Sequence, residues 1–177
     1  MFFNSLPFAL FFILCVSTLF MLPARHRWLF LLAASYYFYM SWKLEYAMIL
    51  AGCTLVTYLG ALILAGCNRP GRKKMILIAC LLVNVGALFF FKYFNFFSRS
   101  LNATLRAWDL PAVMPAMELL LPVGISFYIF QSTGYVVDVY RGRIPPERHL
   151  GYYALFVAFW PQILAGPIGR AHQLLHQ

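Results

Sequence analysis

Apolar residues in this chain come in long runs, broken by short clusters of proline, glycine and basic residues. They neither alternate as in a half-buried strand nor recur as the narrow stripe of a surface helix, so the runs read as helices that are apolar all round. The first is Leu6 to Leu22, with Pro7 in its opening turn, where a missing amide proton costs little, and Pro23 closing it. Arg25, His26 and Arg27 form a basic connector to an aromatic-rich run, Trp28 to Trp42, that is short for an upright crossing. Tyr46 to Leu64 follows, then a turn-forming basic link from Cys67 to Lys74, then Met75 to Phe91. Lys92, Tyr93, Asn95, Arg99 and Arg106 carry that run into an amphipathic region suited to the headgroup level. Between Asn102 and Pro115, the residues Trp108, Asp109, Pro111 and Pro115 predict a turn or a broken surface segment. Leu119 to Val137 is a further run, and Tyr152 to Ile168 is the last, interrupted by Pro161, Gly166 and Pro167 and therefore expected to be kinked or packed. A crossing takes about 20 residues, so the pattern predicts an all-α integral membrane protein with about five to six transmembrane or partly re-entrant helices in one membrane domain spanning 1–177.

Composition strengthens this reading. Of 177 residues, 63% are hydrophobic and only 11% charged, too few to cover a soluble surface of this size. The formal charge of +9 comes from small basic groups placed between apolar runs, which fits loop topology and anionic headgroups and argues against a nucleic-acid partner. If Arg69 to Lys74 face the cytoplasm, then Arg25 and Arg27, and Arg141, Arg143 and Arg148, fall on the same side once Trp28 to Trp42 and Leu119 to Val137 each cross once. Met1 to Pro7 lacks the basic region of a signal peptide, so the first run is expected to stay as a membrane helix. Leu50-Ala51-Gly52-Cys53 and Leu64-Ala65-Gly66-Cys67 look like lipoprotein processing sites but lie behind earlier apolar runs, where a chance match is the better explanation. Cys15, Cys53, Cys67 and Cys80 lack metal-ligand spacing and read as packing residues. His172 and His176 are four apart without the intervening Glu of a zinc-hydrolase motif, so no metal is assigned. The ending at His172 to Gln177 lacks a charged tail and reads as a truncation.

Two segments are more polar than lipid-facing helix needs. In the first, Leu121 to Asp138, Pro122 and Gly124 bend the start, while Ser126, Gln131, Ser132 and Thr133 require hydrogen-bond partners if buried. They either line a substrate route or serve helix–helix packing, in which small residues allow close approach and Gln131 bonds across an interface. Asp138, at the end of the run and three positions before Arg141, reads as an interfacial ion-pair residue. The second segment, Phe159 to Arg170, combines Pro161, Gln162, Gly166 and Pro167 with a terminal base. Arg170 there either meets an anionic ligand or sits at the ordinary membrane interface.

Three passages taken together resemble the N-terminal part of membrane-bound O-acyltransferases, especially the bacterial alginate O-acetylation branch. These are Leu31 to Tyr39, Pro122 to Gln131 continuing through Val137 to Gly142, and Phe159 to Ile168. The resemblance implies the N-terminal part of a larger bundle, multi-pass in the bacterial inner membrane, that moves an acetyl group to hydroxyls of an extracytoplasmic polysaccharide such as alginate. It further implies acetyl-CoA as the donor, with no bound cofactor, and as partners membrane lipids, the polysaccharide and acetyl-transfer proteins. The catalytic histidine of such enzymes lies in a downstream segment that matches no position here, so no catalytic residue is assigned, enzyme activity of this chain is left open, and inactivity alone is expected. Pro122, Gly124, Ser126, Gln131, Asp138, Pro161, Gln162, Gly166, Pro167 and Arg170 become candidates for lining or supporting the acyl-transfer cavity. A transporter or channel fragment with broken polar helices, and a noncatalytic membrane scaffold, are the alternatives.

Overall fold

A computed structural model describes residues 5–108 and 124–165. Pro122, Gly166, Pro167, Arg170, His172 and His176 lie outside the described residues, as does the part of the Asn102 to Pro115 segment beyond Trp108. The described residues form seven helices and no strand: α1 (Leu6–Met21), α2 (Ala24–Met40), α3 (Leu44–Gly66), α4 (Pro70–Ala107), α5 (Ile125–Tyr140), α6 (Leu150–Ala158) and α7 (Trp160–Ala165). The all-helical expectation is met, and α3 and α4 are each long and apolar enough to cross a membrane.

Two boundaries differ from the sequence reading, for the same physical reason. Arg25, His26 and Arg27 are not a connector; they form the first turn of α2, with Pro23 in extended conformation as its N-cap. Likewise α4 absorbs Gly71 to Lys74 at its start, and it runs on through the amphipathic region to Ala107 as the sequence reading expected, making one helix of 38 residues. Polar residues change which solvent a helix faces, but Arg and Lys are good helix formers and no proline interrupts 71–108. The last run breaks as expected, into α6 and α7.

α3 is the central helix, in contact with α2, α4, α5 and α6. Its buried positions Leu50, Cys53, Thr57, Ala61 and Leu64 recur at three and four, so one stripe faces the interior. Against it pack Ile125, Ile129 and Val136 of α5 and Val157 of α6, all nearly inaccessible. Two glycines set the closest approaches. A β-carbon on Gly60 would run into the Cys80 thiol of α4, and one on Gly151 would meet the Trp28 ring of α2. All four cysteines are free and buried, as the packing reading required, Cys67 included.

Candidate functional site

Buried polar side chains of α2 and α5 converge on the break between α6 and α7. Pro161 has no amide proton, and within a continuous helix its ring would collide with the carbonyl of residue 157. The chain avoids this by ending α6 at Ala158, turning through Phe159 and restarting at Trp160. A break of this kind strips the Phe156 carbonyl of its helical donor and the Trp160 amide of its acceptor, which is costly away from water. Both groups are taken up by side chains from other helices. Gln131 of α5 donates through Nε2 to the Phe156 carbonyl at 2.8 Å, and the Trp160 amide donates to Ser35 Oγ of α2 at 3.4 Å. Ser35 in turn donates to the Leu31 carbonyl at 2.8 Å. The Trp160 ring is held by Phe8, Phe11 and Phe38, with centroids at 5.8, 5.4 and 5.7 Å. The break is thus a fixed feature of the fold, pinned by α1, α2 and α5.

α5 itself starts from Gly124, whose left-handed backbone (φ 71°) any other residue type would adopt only with strain. Its polar residues divide into distinct roles. Ser132 donates to the Tyr128 and Ile129 carbonyls at 2.8 and 3.2 Å, a bond within its own helix that makes it a packing residue. Gln131 clamps the broken helix with its amide nitrogen, while its Oε1 is buried without a hydrogen-bond partner, as are Tyr128 Oη and Thr133 Oγ1. Tyr128 is completely inaccessible. The sequence reading did not single it out, because a tyrosine in an apolar run counts as apolar although its hydroxyl still needs a partner. Its spacing of three from Gln131 puts the two on one helical face and was the available signal. Ser126, Pro161 and Gln162 are half-buried, and the Gln162 amide donates to the Phe159 carbonyl at 3.1 Å.

At the other end of α5 the chain closes in a hydrogen-bonded helix stop. Gly142 (φ 68°) donates to Val139 O at 3.0 Å and Arg143 to Asp138 O at 2.9 Å, the paired bonds that satisfy the last carbonyls of a helix. Asp138 is indeed an ion-pair residue, but its partner is Arg143 at 3.3 Å and not Arg141, because the left-handed turn at Gly142 brings residue 143 back over the helix end. The 141–149 loop is then tied down by tyrosines. Tyr135 accepts from the Glu147 amide at 2.8 Å and Tyr58 donates to the Arg148 carbonyl. Tyr153, its ring tilted against that of Tyr135 with centroids 4.6 Å apart, donates to Thr57 Oγ1 at 2.7 Å.

His149 ends this loop as the cap of α6, its Nδ1 accepting from the Tyr152 amide at 3.3 Å and its ring set edge-on to Trp28 at 5.0 Å. That contact brings Arg25 and Arg27 to the same end of the bundle as Arg148. The Tyr58 bond to Arg148, eight residues before the end of α3, places the 69–74 cluster there too. Among the described residues no group of His, Cys, Asp or Glu is arranged to hold a metal ion. What the site offers chemically is a broken helix clamped by Gln131 and Ser35, with Gln131 Oε1 and Trp160 Nε1 buried at the break without partners.

The chain is 40% identical over 156 residues to a protein of Azotobacter vinelandii named probable alginate O-acetylase, an alignment covering 88% of this chain and 31% of that protein. A protein of the same name in Pseudomonas putida is 41% identical over 86% of this chain and 32% of its own length. The peptidoglycan O-acetyltransferase of Helicobacter pylori is 32% identical over 84% of this chain and 32% of its own length. The chain therefore spans about a third of the length of these relatives. No family model and no solved structure matches it. The resemblance drawn from the three sequence passages to the alginate O-acetylation branch is met by these relatives.

Proposed function

From this relationship to the alginate O-acetylases, which covers most of the chain, we propose that the protein is the scaffolding part of a membrane O-acetyltransferase. In this reading the complete enzyme moves acetyl groups from acetyl-CoA to hydroxyls of an extracytoplasmic polysaccharide, and the residues here have no transfer activity alone. The observation that carries it is the 40% identity over 88% of the chain. The geometry supports a division of labour within it. His149, a strong acid–base candidate by residue type, is already used as a helix cap at the basic end. Gln131, Ser35 and Trp160 hold a backbone break that a lipid-facing helix would not tolerate. The Tyr128 and Gln131 oxygens are buried with unused bonding capacity, which supports a place for them behind the wall of an acyl-transfer cavity. A histidine elsewhere in the complete enzyme activates the acceptor hydroxyl, and this chain keeps the cavity wall in place and dry. The protein sits in the bacterial inner membrane, with the end carrying Arg25, Arg69 to Lys74 and Arg148 in the cytoplasm.

The Helicobacter relative, named for peptidoglycan, makes the acceptor the first thing to test. Purified protein in lipid vesicles, given labelled acetyl-CoA with either alginate or peptidoglycan, is expected to transfer no label. A polypeptide extended to the length of the relatives should label one acceptor in preference to the other. Transfer by the 177-residue chain alone would overturn the inactivity, and an extended protein that labels neither acceptor would overturn the activity.

A further inference from the structure

α4 is too long for an upright crossing, and its two halves have different surfaces. Its 38 residues span about 57 Å, against about 40–45 Å for a whole bilayer including headgroups. From Met75 to Phe91 there is no charged residue. From Lys92 onward the helix becomes two-faced. Lys92, Arg99 and Arg106 recur every seven residues and so share one face, and residues 92–107 contain no Asp or Glu. Phe90, Phe94, Phe97 and Leu101, spaced four, three and four, fall on the opposite side. The structure keeps both faces open: the three basic residues are exposed, and Phe97 is 51% accessible. The apolar side chains form a shallow trough with Gly86 and Phe89, and Trp108 closes the helix in an exposed position.

We propose that residues 92–107 of α4 form a membrane-surface arm that binds anionic lipid. The helix crosses at a tilt of about 40°, the upper end of the usual range, which fits its full length between the two headgroup layers. The tilt turns the phenylalanine face onto the acyl chains of the leaflet opposite the basic end of the bundle. Arg106 then stands among the headgroup phosphates with Trp108 at the interface, Arg99 reaches them along its side chain, and Lys92 lies deeper, about one to two turns inside the acyl layer. Length, charge pattern and exposed aromatics all fit this one surface. A polyanion in water would satisfy the basic stripe and leave the phenylalanines uncovered. The inference rests on the reading that α4 crosses the membrane.

The test labels two surface positions of the full chain with a fluorophore, in single variants Leu82→Cys and Phe97→Cys, the native cysteines being buried. The protein is reconstituted in vesicles of phosphatidylcholine with or without phosphatidylglycerol, carrying a nitroxide quencher either near the headgroup or deep in the chains. The Leu82 label should respond to the deep quencher and the Phe97 label to the shallow one. Substituting Arg99→Gln and Arg106→Gln together should reduce the preference of the arm for phosphatidylglycerol on the order of ten-fold. A Phe97 label reached by neither quencher, while the Leu82 label is quenched, overturns the arm and leaves the crossing intact. If both labels escape quenching, the crossing itself is wrong. Equal shallow quenching with and without phosphatidylglycerol overturns the anionic preference, and release of the arm by added acidic polysaccharide reassigns the stripe to that polymer.

Discussion

α3 and α4 are comparably apolar, yet 44% of the apolar stretch of α3 is buried inside the bundle against 11% for α4. The difference lies in the small and polar positions. α3 presents Cys53, Thr54, Thr57, Tyr58 and Gly60 to its neighbours, and their hydroxyls are bonded to backbone or to Tyr153. Among its described side chains, α4 returns Cys80, Asn84 and Ser98 to the buried side. In a chain this hydrophobic, Leu and Phe report little about where the interior is, because lipid accepts them as readily as protein does. Groups that need a partner or allow close approach mark the interior instead.

The most disruptive way to probe the packed region is to remove Trp160. Trp160→Ala empties the space between Phe8, Phe11 and Phe38 and should destabilise the protein by about 3 kcal/mol or more, read as thermal or denaturant unfolding in detergent. A loss below about 1 kcal/mol would mean that the break between α6 and α7 is not held by that cluster. Next in size is the seam between the two helices compared. Gly60→Ala drives a methyl into the Cys80 thiol and should cost about 1–3 kcal/mol. Adding Cys80→Ala should recover much of that loss, so a double variant no better than Gly60→Ala places the damage elsewhere.

A somewhat smaller effect separates two neighbours on α5. Gln131→Met leaves the Phe156 carbonyl without its donor and should cost about 1–2 kcal/mol. Ser132→Ala removes only a bond within its own helix and should change stability by less than about 0.5 kcal/mol. Comparable losses for the two would undo the assignment of Gln131 as the clamp of the broken helix.

The contrast between Gln131 and Ser132 also shows what the sequence could and could not reveal. Helix positions were legible because run length and proline placement act locally: Pro7, Pro23 and Pro161 all sit at helix starts or breaks. The starts of α2 and α4 were not, since a change from apolar to basic residues shifts the solvent a helix prefers without ending it. Polarity flagged Gln131, Ser132 and Thr133 alike. Only tertiary structure distinguishes them, because the partner of Gln131 is 25 residues away and the Trp160 amide reaches back 125 residues to Ser35. Tyr128 was missed for a complementary reason, its ring satisfying the apolar pattern while its hydroxyl is stranded in the core.

The smallest expected effect tests the open side of α4. Leu82 is 67% exposed on this helix, so truncating it removes little contact with the rest of the bundle. Alanine is also the better helix former. Leu82→Ala should therefore shift stability by no more than about 0.5 kcal/mol, whereas Leu50→Ala in the inaccessible stripe of α3 should cost at least about 2 kcal/mol. The pair changes the same side chain in the same way on two helices of similar apolarity, so propensity and transfer terms largely cancel and the remaining difference reports packing. Equal losses would mean that the outer face of α4 is covered in the working protein, by another part of the polypeptide or by a second molecule, and α4 would then be an interior helix like α3.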